Sequence, residues 1–307
     1  MTVLADHPID IAARQLFWRR FREHRLALWS AALLVIIAAI ALLAPVIEAT
    51  MGLDATRVDL FNQYALPDAT HWLGTDEAGR DVFLRLLYGG RVSLLVGLVA
   101  AIAAAVIGTT IGLLAGYYGG RLDALLMRTT DGVIALPVLP LLIVLAAVDL
   151  EKVGVPAAIA QSEIVSLYRI MFIIAIVGWT TVARLVRSAT LSVRSREFVR
   201  AAEAMGARPG RIMVRHILPN VVSPIIVATT LSIGSIILLE SVLSFLGLGI
   251  QPPTPSWGNM LTNAQELITR APQLAIYPGL IIFVTVIAFN FLGDGLQDAL
   301  DPRASRR

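Results

Sequence analysis

The chain has no cysteine and only one lysine among its 307 residues. Without cysteine it can form no disulfide, no thiolate metal site and no thiol nucleophile. The single lysine, Lys152, lies in the segment 149–154 (DLEKVG), which is not a glycine-rich phosphate loop. The chain therefore encodes no Walker-type ATP site, and active transport would need another subunit or an ion gradient as its energy source.

Histidine is also scarce. The four histidines lie outside the long apolar segments of the chain, and none is near another in sequence: His7, His24, His71 and His216. This distribution does not support a histidine metal path or a histidine-dependent protease within a membrane. We expect surface positions for these histidines, no metal site, and no cofactor bound by this chain.

Charged residues make up only 15% of the chain, against 57% hydrophobic residues and a mean hydropathy of +0.75. These values exclude a soluble globular protein of this size. Because a membrane-spanning helix needs about 20 mostly apolar residues, the pattern predicts an all-α membrane protein. Six spans are expected, near residues 26–47, 92–118, 124–148, 167–186, 221–246 and 274–293. The first is too long and too far from the start for a signal peptide, so we expect it to be retained.

The distribution of arginine predicts the orientation of these spans. If both termini are cytoplasmic, 18 of the 25 basic residues lie inside and seven lie outside, as the positive-inside rule requires. Topology and anionic lipid headgroups then explain the excess of basic over acidic residues. We therefore expect a lipid bilayer, and no nucleic acid, as a partner.

Residues 196–206 (REFVRAAEAMG) form an amphipathic segment on the predicted cytoplasmic side. Four apolar residues recur at helical spacing and share one face: Phe198, Ala201, Ala202 and Met205. The charged residues lie on the other face: Glu197, Arg200 and Glu203. Gly206 allows a sharp turn before Arg208 and the following Pro-Gly pair. The pattern predicts a helix that docks into a partner's cleft.

The predicted spans lack the carboxylates expected of a proton relay. Glu240 is the clear exception, and its burial predicts a polar partner. Two interpretations stay open: a residue that lines a translocation path or its outer gate, or an interhelical hydrogen bond with Asn290 or Ser235 that only fixes packing. Pro137 and Pro140 are expected to bend the third span, either as a cavity wall or hinge or as a static kink.

Two blocks of sequence are expected on the external side. The first, 73–81 (LGTDEAGRD), contains turn-forming glycines together with Asp76 and Arg80. The second, 245–258 (FLGLGIQPPTPSWG), combines an extended proline run with Trp257, a residue suited to the membrane interface. Asp76, Arg80 and Trp257 are candidates for contact with an external binding protein; the alternative is that both blocks only cap the bundle.

These blocks carry a resemblance that covers nearly the whole chain. Residues 201–219 resemble the EAA loop of binding-protein-dependent permeases, with Ala201, Ala202, Gly206 and a Leu218-Pro219 pair at the family spacing. The two external blocks, and the tail 293–303, are similar to the C-type permease subunit of dipeptide, oligopeptide and nickel ABC importers. One departure is plain: Arg200 stands at the position of the loop's namesake glutamate. The segment 148–168 also looks longer than the corresponding loop of the family, and we assign it no function.

The resemblance implies a type I ABC importer transmembrane domain with a cytoplasmic coupling helix. The implied division is a cytoplasmic N-terminal segment (1–25), a first transmembrane helix (26–47), an external loop with an amphipathic lead-in (48–91), the importer domain (92–298) and a cytoplasmic tail (299–307). Within the importer domain, the coupling loop spans about 194–219 and the external proline-rich loop spans 247–273. The expected location is the bacterial cytoplasmic (inner) membrane.

The resemblance also implies the partners. They are a homologous B-type permease subunit, two ABC ATPase subunits that use ATP and Mg, and an extracytoplasmic substrate-binding protein. The chain itself is expected to be no enzyme. The implied ATPase contacts are Phe198, Ala201, Ala202, Met205 and Gly206, with Glu197, Arg200, Glu203 and Arg208 as rim charges.

Peptides are the expected substrates, because most members of the resembled family import peptides. Nickel, glutathione, opines or modified sugars stay open as alternatives. A stand-alone secondary transporter or channel is the competing function class, although the chain lacks a proton-relay array. A membrane enzyme is not supported, because no histidine, cysteine or paired carboxylate lies within a span.

Overall fold

A computed structural model describes residues 17–152, 154–160 and 162–300. In these ranges the chain is helical, and the single β feature is an isolated bridge between Thr75 and Asp81. Five helices are long and apolar enough to cross a membrane, or six if one sharply bent pair counts as one span. The prediction of an all-α membrane protein with six spans agrees with the second count. Of the predicted cytoplasmic segments 1–25 and 299–307, residues 1–16 and 301–307 lie outside the described residues.

The helices follow the chain as α1 (17–23), α2 (Arg25–Leu42), α3 (Ala44–Met51), α4 (Val82–Tyr118), α5 (Gly120–Ala135), α6 (Val138–Ala147), α7 (Ala157–Ala160), α8 (Glu163–Arg194), α9 (Glu197–Ala204), α10 (Pro209–Ile212), α11 (Leu218–Phe245), α12 (Ala264–Leu267) and α13 (Gln273–Leu300). A π-helical turn, Met213–Ile217, joins α10 to α11. Short 3₁₀ turns occur at Leu60–Asn62 and Asn259–Leu261.

Several predicted spans differ in length from the helices. The first span breaks at Leu43, because Pro45 can begin a helix but cannot continue one. The lead-in before residue 92 is already helix α4, which begins at Val82 after the N-cap Asp81. The fourth span continues to Arg194, eight residues beyond the predicted end. These extensions project beyond the apolar window, which is why hydropathy alone misplaced the ends.

The third span is broken between α5 and α6 by an angle of 87°. The predicted bend is therefore confirmed, and it lies at Leu136 and Pro137, where both residues have extended backbone. Pro137 disfavours helical geometry at the residue before it, so the helix ends there. Pro140 lies in the first turn of α6, where no helical hydrogen bond is lost.

The core is built around the contact of α4 with α8. Gly108, Gly112 and Gly116 lie one turn apart on α4 and face the backbone of α8. A Cβ atom added at any of them would lie 2.5–2.7 Å from an atom of α8. Small residues at this spacing let two membrane helices approach closely. Helix α11 packs beside this pair and α13 packs on α11; α2 lies on the outside, where its Ala27 is close to Gly295 of α13.

Candidate functional site

The amphipathic segment forms a separate short helix, α9, directly after the end of α8. The N-cap of α9, Arg196, has extended backbone, so the chain turns there. The helix ends before Gly206, whose φ of +78° is a left-handed value that favours glycine. The predicted turn at Gly206 is therefore present, and α9 is set off from the long helices on both sides.

Two side chains of α9 attach it to the bundle. Val199 and Ala202 are 0% and 2% exposed, and Val199 belongs to an apolar cluster with residues of α4, α8 and α11. We call this the coupling cluster: Leu113, Tyr117, Val182, Val186, Val193, Val199, Ile212, Ile217, Val221 and Ala228. Val199 therefore packs α9 against three membrane-spanning helices.

A polar contact adds to this attachment. The Tyr117 hydroxyl at the end of α4 donates a long hydrogen bond of 3.4 Å to Glu203 of α9. The guanidinium of Arg194 lies 5.7 Å from the centre of the Tyr117 ring, within the range of a cation–π interaction. Glu203 thus faces the bundle as well as solvent.

The opposite side of α9 is open. The segment's exposed residues include all but one of the predicted ATPase contacts: Glu197, Phe198, Arg200, Ala201, Glu203, Met205, Gly206 and Arg208. Phe198 is 40% exposed and Met205 is 81% exposed, so they present an apolar edge to solvent. Ala202 is the exception, because its side chain points into the bundle. Ala202 lies three residues after Val199, and this spacing places both side chains on one helical face that packs against the bundle.

Ion pairs join the neighbouring helices α5 and α8 near α9. Arg187 of α8 makes a bidentate contact with Asp123 of α5, with Nη2 2.6 Å from Oδ2. One turn along α8, Arg184 lies 2.6 Å from Asp131. Bidentate arginine–carboxylate pairs fix orientation, so α5 and α8 are held in register beside the coupling cluster.

A second feature is a groove of about 550 Å³ between α6, α8, α11 and α13. We call it the polar groove, after the uncharged polar residues among its lining: Thr180, Thr181, Ser232, Ser235, Asn290 and Gln297. No acidic or basic side chain is among the described residues that line it. The remaining lining is apolar, as in Leu142 and Ile236.

The polar groove is suited to water or solute rather than to lipid. Asn290 and Ser235 are exposed in the groove, and neither side chain makes a hydrogen bond within the described part of the chain. An amide or hydroxyl facing hydrocarbon without a partner costs several kcal/mol. This face is therefore expected to meet water, a solute or a partner subunit.

The structure separates the four residues predicted for the translocation path. Asn290 lines the polar groove. Pro137 does not line it, but it directly precedes Val138, which does. Pro140 and Glu240 do not line it. Glu240 is fully buried elsewhere, and its bonded partners are Ser93 and Ser244 rather than Asn290 or Ser235.

The predicted hydrogen-bond partners of Glu240 were wrong because of helical rotation. Ser235 lies five residues before Glu240 on α11, about 140° around the helix axis. It points into the polar groove, as does Asn290. Ser244 lies one turn after Glu240 and shares its face, so its hydroxyl reaches the carboxylate at 2.7 Å.

Asp76 and Arg80, which were predicted to be external, belong to an ion-pair network at the start of α4. One Asp76 oxygen lies 2.8 Å from Nε of Arg80 and 3.3 Å from Nε of Arg85, and the other accepts two backbone N–H groups. Asp81 caps α4 by accepting from Leu84 N at 2.8 Å. Asp76 is 6% exposed, so in this conformation its carboxylate offers no surface to a binding protein.

Trp257 is also internal. It is 1% exposed, and its indole N–H donates to the carbonyl of Leu86 at 2.9 Å. Its ring lies against Gly89 and Gly90 of α4, where an added Cβ would be 3.0–3.2 Å from Trp257 atoms. Trp257 therefore joins the external proline-rich loop to α4 in this conformation.

A larger cavity of about 780 Å³ lies between α4 and α11. Its walls are almost entirely apolar, with four threonines as the polar exceptions: Thr109, Thr110, Thr229 and Thr230. A hydrated solute would therefore lose more hydrogen bonds in this cavity than in the polar groove.

Two family profiles match the chain. Residues 108–306 match the binding-protein-dependent transport system inner membrane component. Residues 13–65 match the N-terminal transmembrane domain of oligopeptide transport permease C. The first match contains α9, the helices α8 and α11 of the coupling cluster, and all of the residues that line the polar groove.

Curated relatives are similar over almost the full length. A dipeptide transport system permease protein of Alkalihalophilus pseudofirmus is 40% identical over 286 residues, 93% of this chain and 88% of the relative. A glutathione transport system permease protein of Escherichia coli O6:K15:H31 is 42% identical over 287 residues, 94% of this chain and 89% of the relative. An oligopeptide transport system permease protein of Bacillus subtilis is 36% identical over 284 residues, 92% and 88% of the two chains.

A solved structure shares the fold. An inward-facing form of the MetNI methionine ABC transporter aligns with a TM-score of 0.55 and 19% identity, over 73% of this chain and 97% of the matched one. At that identity the likeness supports the architecture of an ABC importer transmembrane domain and nothing finer. With the profile and the relatives, it shows that this chain belongs to the family of binding-protein-dependent transport system inner membrane components, the permease subunits of ABC importers.

Proposed function

We propose that this chain is the C-type permease subunit of an ATP-driven importer of short peptides, and that it forms half of the translocation path. The observation that carries the proposal is the pairing of two features on the same helices. The polar groove lies between α8, α11 and their neighbours, and α9 is packed through the coupling cluster onto α8 and α11. A force on α9 would thereby reach the walls of the groove.

Short peptides suit the groove by its chemistry. Peptide groups are uncharged donors and acceptors, and the groove offers hydroxyl and amide side chains of the same kind. The named dipeptide, glutathione and oligopeptide relatives support the same substrate class. Nickel stays the alternative, carried as a complex, because the described lining offers none of the imidazole or carboxylate ligands that hold a bare divalent ion.

The proposal assigns the energy source to partners. A B-type permease would complete the path, two ATPase subunits would bind beneath α9 and hydrolyse ATP with Mg, and an extracytoplasmic protein would deliver the peptide. Phe198 and Met205 would enter a cleft of the ATPase, with Arg200 and Arg208 at its rim. Both termini would be cytoplasmic, in the inner membrane, which agrees with the arginine distribution.

The test is reconstitution of this subunit with the products of its neighbouring genes in liposomes. ATP hydrolysis and uptake of a labelled dipeptide are measured with and without the neighbouring binding protein. Both should rise when binding protein and peptide are present together. If the ATPase subunits do not copurify with this chain, the proposal fails; if they do and a nickel complex is taken up instead of peptide, only the substrate is wrong.

The coupling step is tested by Phe198→Ala, with Leu191→Ala as the matched control. The two residues are 40% and 39% exposed, but Leu191 lies on α8 rather than on α9. Phe198→Ala should lower peptide uptake at least tenfold without affecting membrane insertion, since truncating an apolar anchor at an interface costs more than about 1.4 kcal/mol. Equal uptake by both variants would contradict the assignment of Phe198 to the ATPase contact.

A further inference from the structure

Glu240 of α11 is a fully buried carboxylate that the proposed coupling and groove do not use. Both of its oxygens are bonded. Ser93 of α4 donates its hydroxyl to Oε2 at 3.2 Å, and Ser244 of α11 donates to Oε1 at 2.7 Å. The Ser241 hydroxyl on the same helix donates instead to the carbonyl of Ile237 at 2.8 Å. A buried acidic group persists only where such donors satisfy it.

The two bonded serines are relays to the external loop. Ser93 Oγ accepts a hydrogen bond from the backbone N–H of Trp257 at 3.2 Å. Ser244 Oγ accepts one from the backbone N–H of Ile250 at 3.1 Å. Ile250 and Trp257 are the two ends of the proline-containing stretch of this loop, which we call the proline segment (250–257). A single carboxylate is therefore joined to both ends of the proline segment.

The proline segment is itself held as one unit. The Asn259 amide donates to the carbonyls of Ile250 at 3.2 Å and Thr254 at 2.8 Å, and its oxygen accepts from Ser256 N at 2.9 Å. Beside the segment, Gly258 packs against α11, where an added Cβ would lie 2.5 Å from the backbone of Ser241. Because these hydrogen bonds hold the proline segment together, contacts at its two ends are enough to position the whole segment.

The relay uses both oxygens of the Glu240 side chain, one for each serine. A hydroxyl has one hydrogen and two lone pairs, so each serine can accept its backbone N–H and donate to Glu240 at the same time. Both carboxylate oxygens can accept such a hydrogen. A glutamine of the same shape would present an NH₂ group to one of the two serines, and that serine would lose its acceptor.

We infer that Glu240 is a positioning residue for the outer gate: through Ser93 and Ser244 it holds the proline segment against the outer ends of α4 and α11, so that the three elements move as one body. The transport consequence of this inference rests on the proposed function, because it takes the proline segment as part of the external seal of an importer. The attachment itself does not depend on the substrate.

The test uses hydrogen–deuterium exchange of the assembled complex in nanodiscs. In Glu240→Gln, amide exchange of peptides covering 248–262 should become about tenfold faster, the order expected for the loss of a buried hydrogen bond. Peptides of α9 should exchange as in the wild type. Peptide uptake should fall several-fold while ATP hydrolysis continues, because the gate no longer closes in register.

Two further variants separate the relays, and a third controls for misfolding. Ser244→Ala should speed amide exchange near Ile250, and Ser93→Ala should speed amide exchange near Trp257. In each variant, the other end of the proline segment should exchange more slowly than the affected end. Thr285→Val, which alters a buried hydroxyl of α13 that makes no hydrogen bond to these relays, should leave exchange of 248–262 unchanged. An even increase in exchange over the whole chain, or wild-type exchange of 248–262 in Glu240→Gln, would overturn the inference. If the wild type imports no peptide, the proposed function fails while the exchange result still decides the attachment.

Discussion

The close contact of α4 with α8 makes a sharp prediction for Gly112→Ala. The added Cβ would lie 2.6 Å from the carbonyl oxygen of Ala183 and 2.8 Å from the Cβ of Val186. A relaxed carbon–oxygen contact is at least 3.3 Å, so the two backbones would have to separate by about 0.7 Å. The neighbouring α8 atoms are backbone and a branched carbon, which cannot rotate away.

The cost follows from two opposing terms. Overpacking of a close-packed site destabilises by about 1–3 kcal/mol, and here we take the upper end because three α8 atoms lie within 2.9 Å of the added carbon. Replacing glycine by alanine within a helix returns about 1 kcal/mol. The net loss is about 2 kcal/mol, which should lower the thermal unfolding midpoint of the purified chain by several degrees, measured through tryptophan fluorescence in detergent.

Gly279→Ala is the matched control for this prediction. Gly279 lies within helix α13, and nothing lies within 4 Å of its added Cβ. Only the stabilisation from replacing glycine by alanine within a helix then applies, because no atom is crowded. This variant should therefore unfold at the wild-type temperature or slightly above it. If Gly112→Ala unfolded at the same temperature as Gly279→Ala, the close approach of α4 and α8 would be refuted.

Two further predictions concern stability. Thr285→Val should raise the unfolding midpoint, because the Thr285 hydroxyl is buried without a hydrogen-bond partner in the described part of the chain and its removal relieves about 1 kcal/mol of desolvation; a midpoint below that of the wild type would show that the hydroxyl has a partner. Asp81→Ala should destabilise by about 1–2 kcal/mol, because the Asp81 carboxylate caps α4 and also lies 2.8 Å from Nδ1 of His71. Limited proteolysis of the external loop should then become faster, and an unchanged rate would contradict the capping role.

The residues Asp76, Arg80 and Trp257 show what the sequence alone left open about the predicted external blocks. The sequence placed Asp76, Arg80 and Trp257 on the external side, and either contact with a partner or capping of the bundle was possible. The structure has Asp76 and Trp257 buried, in bonds to Arg80, Arg85 and Leu86. Burial depends on segments distant in the chain, since Trp257 packs on glycines about 170 residues earlier, so no local pattern predicts it.

Helix α9 illustrates the same limit on a smaller scale. Its existence, its end at Gly206 and the exposure of Phe198 and Met205 followed from spacing and turn chemistry. The inward face of Val199 and Ala202 did not, because a short helix with apolar residues over a wide arc can bury either part of it.

Composition and periodicity by themselves determined that this protein is an all-helical membrane protein with a separate short amphipathic helix, α9. These properties depend on single residues and on spacings within one helix, where hydropathy and steric preference act locally. Only the tertiary structure decided that Asn290 lines a polar groove while Glu240 holds the proline segment through two serines. Both are polar residues within spans, and their roles differ because helix rotation and packing set which of them meets a cavity and which meets a fixed hydrogen-bond partner.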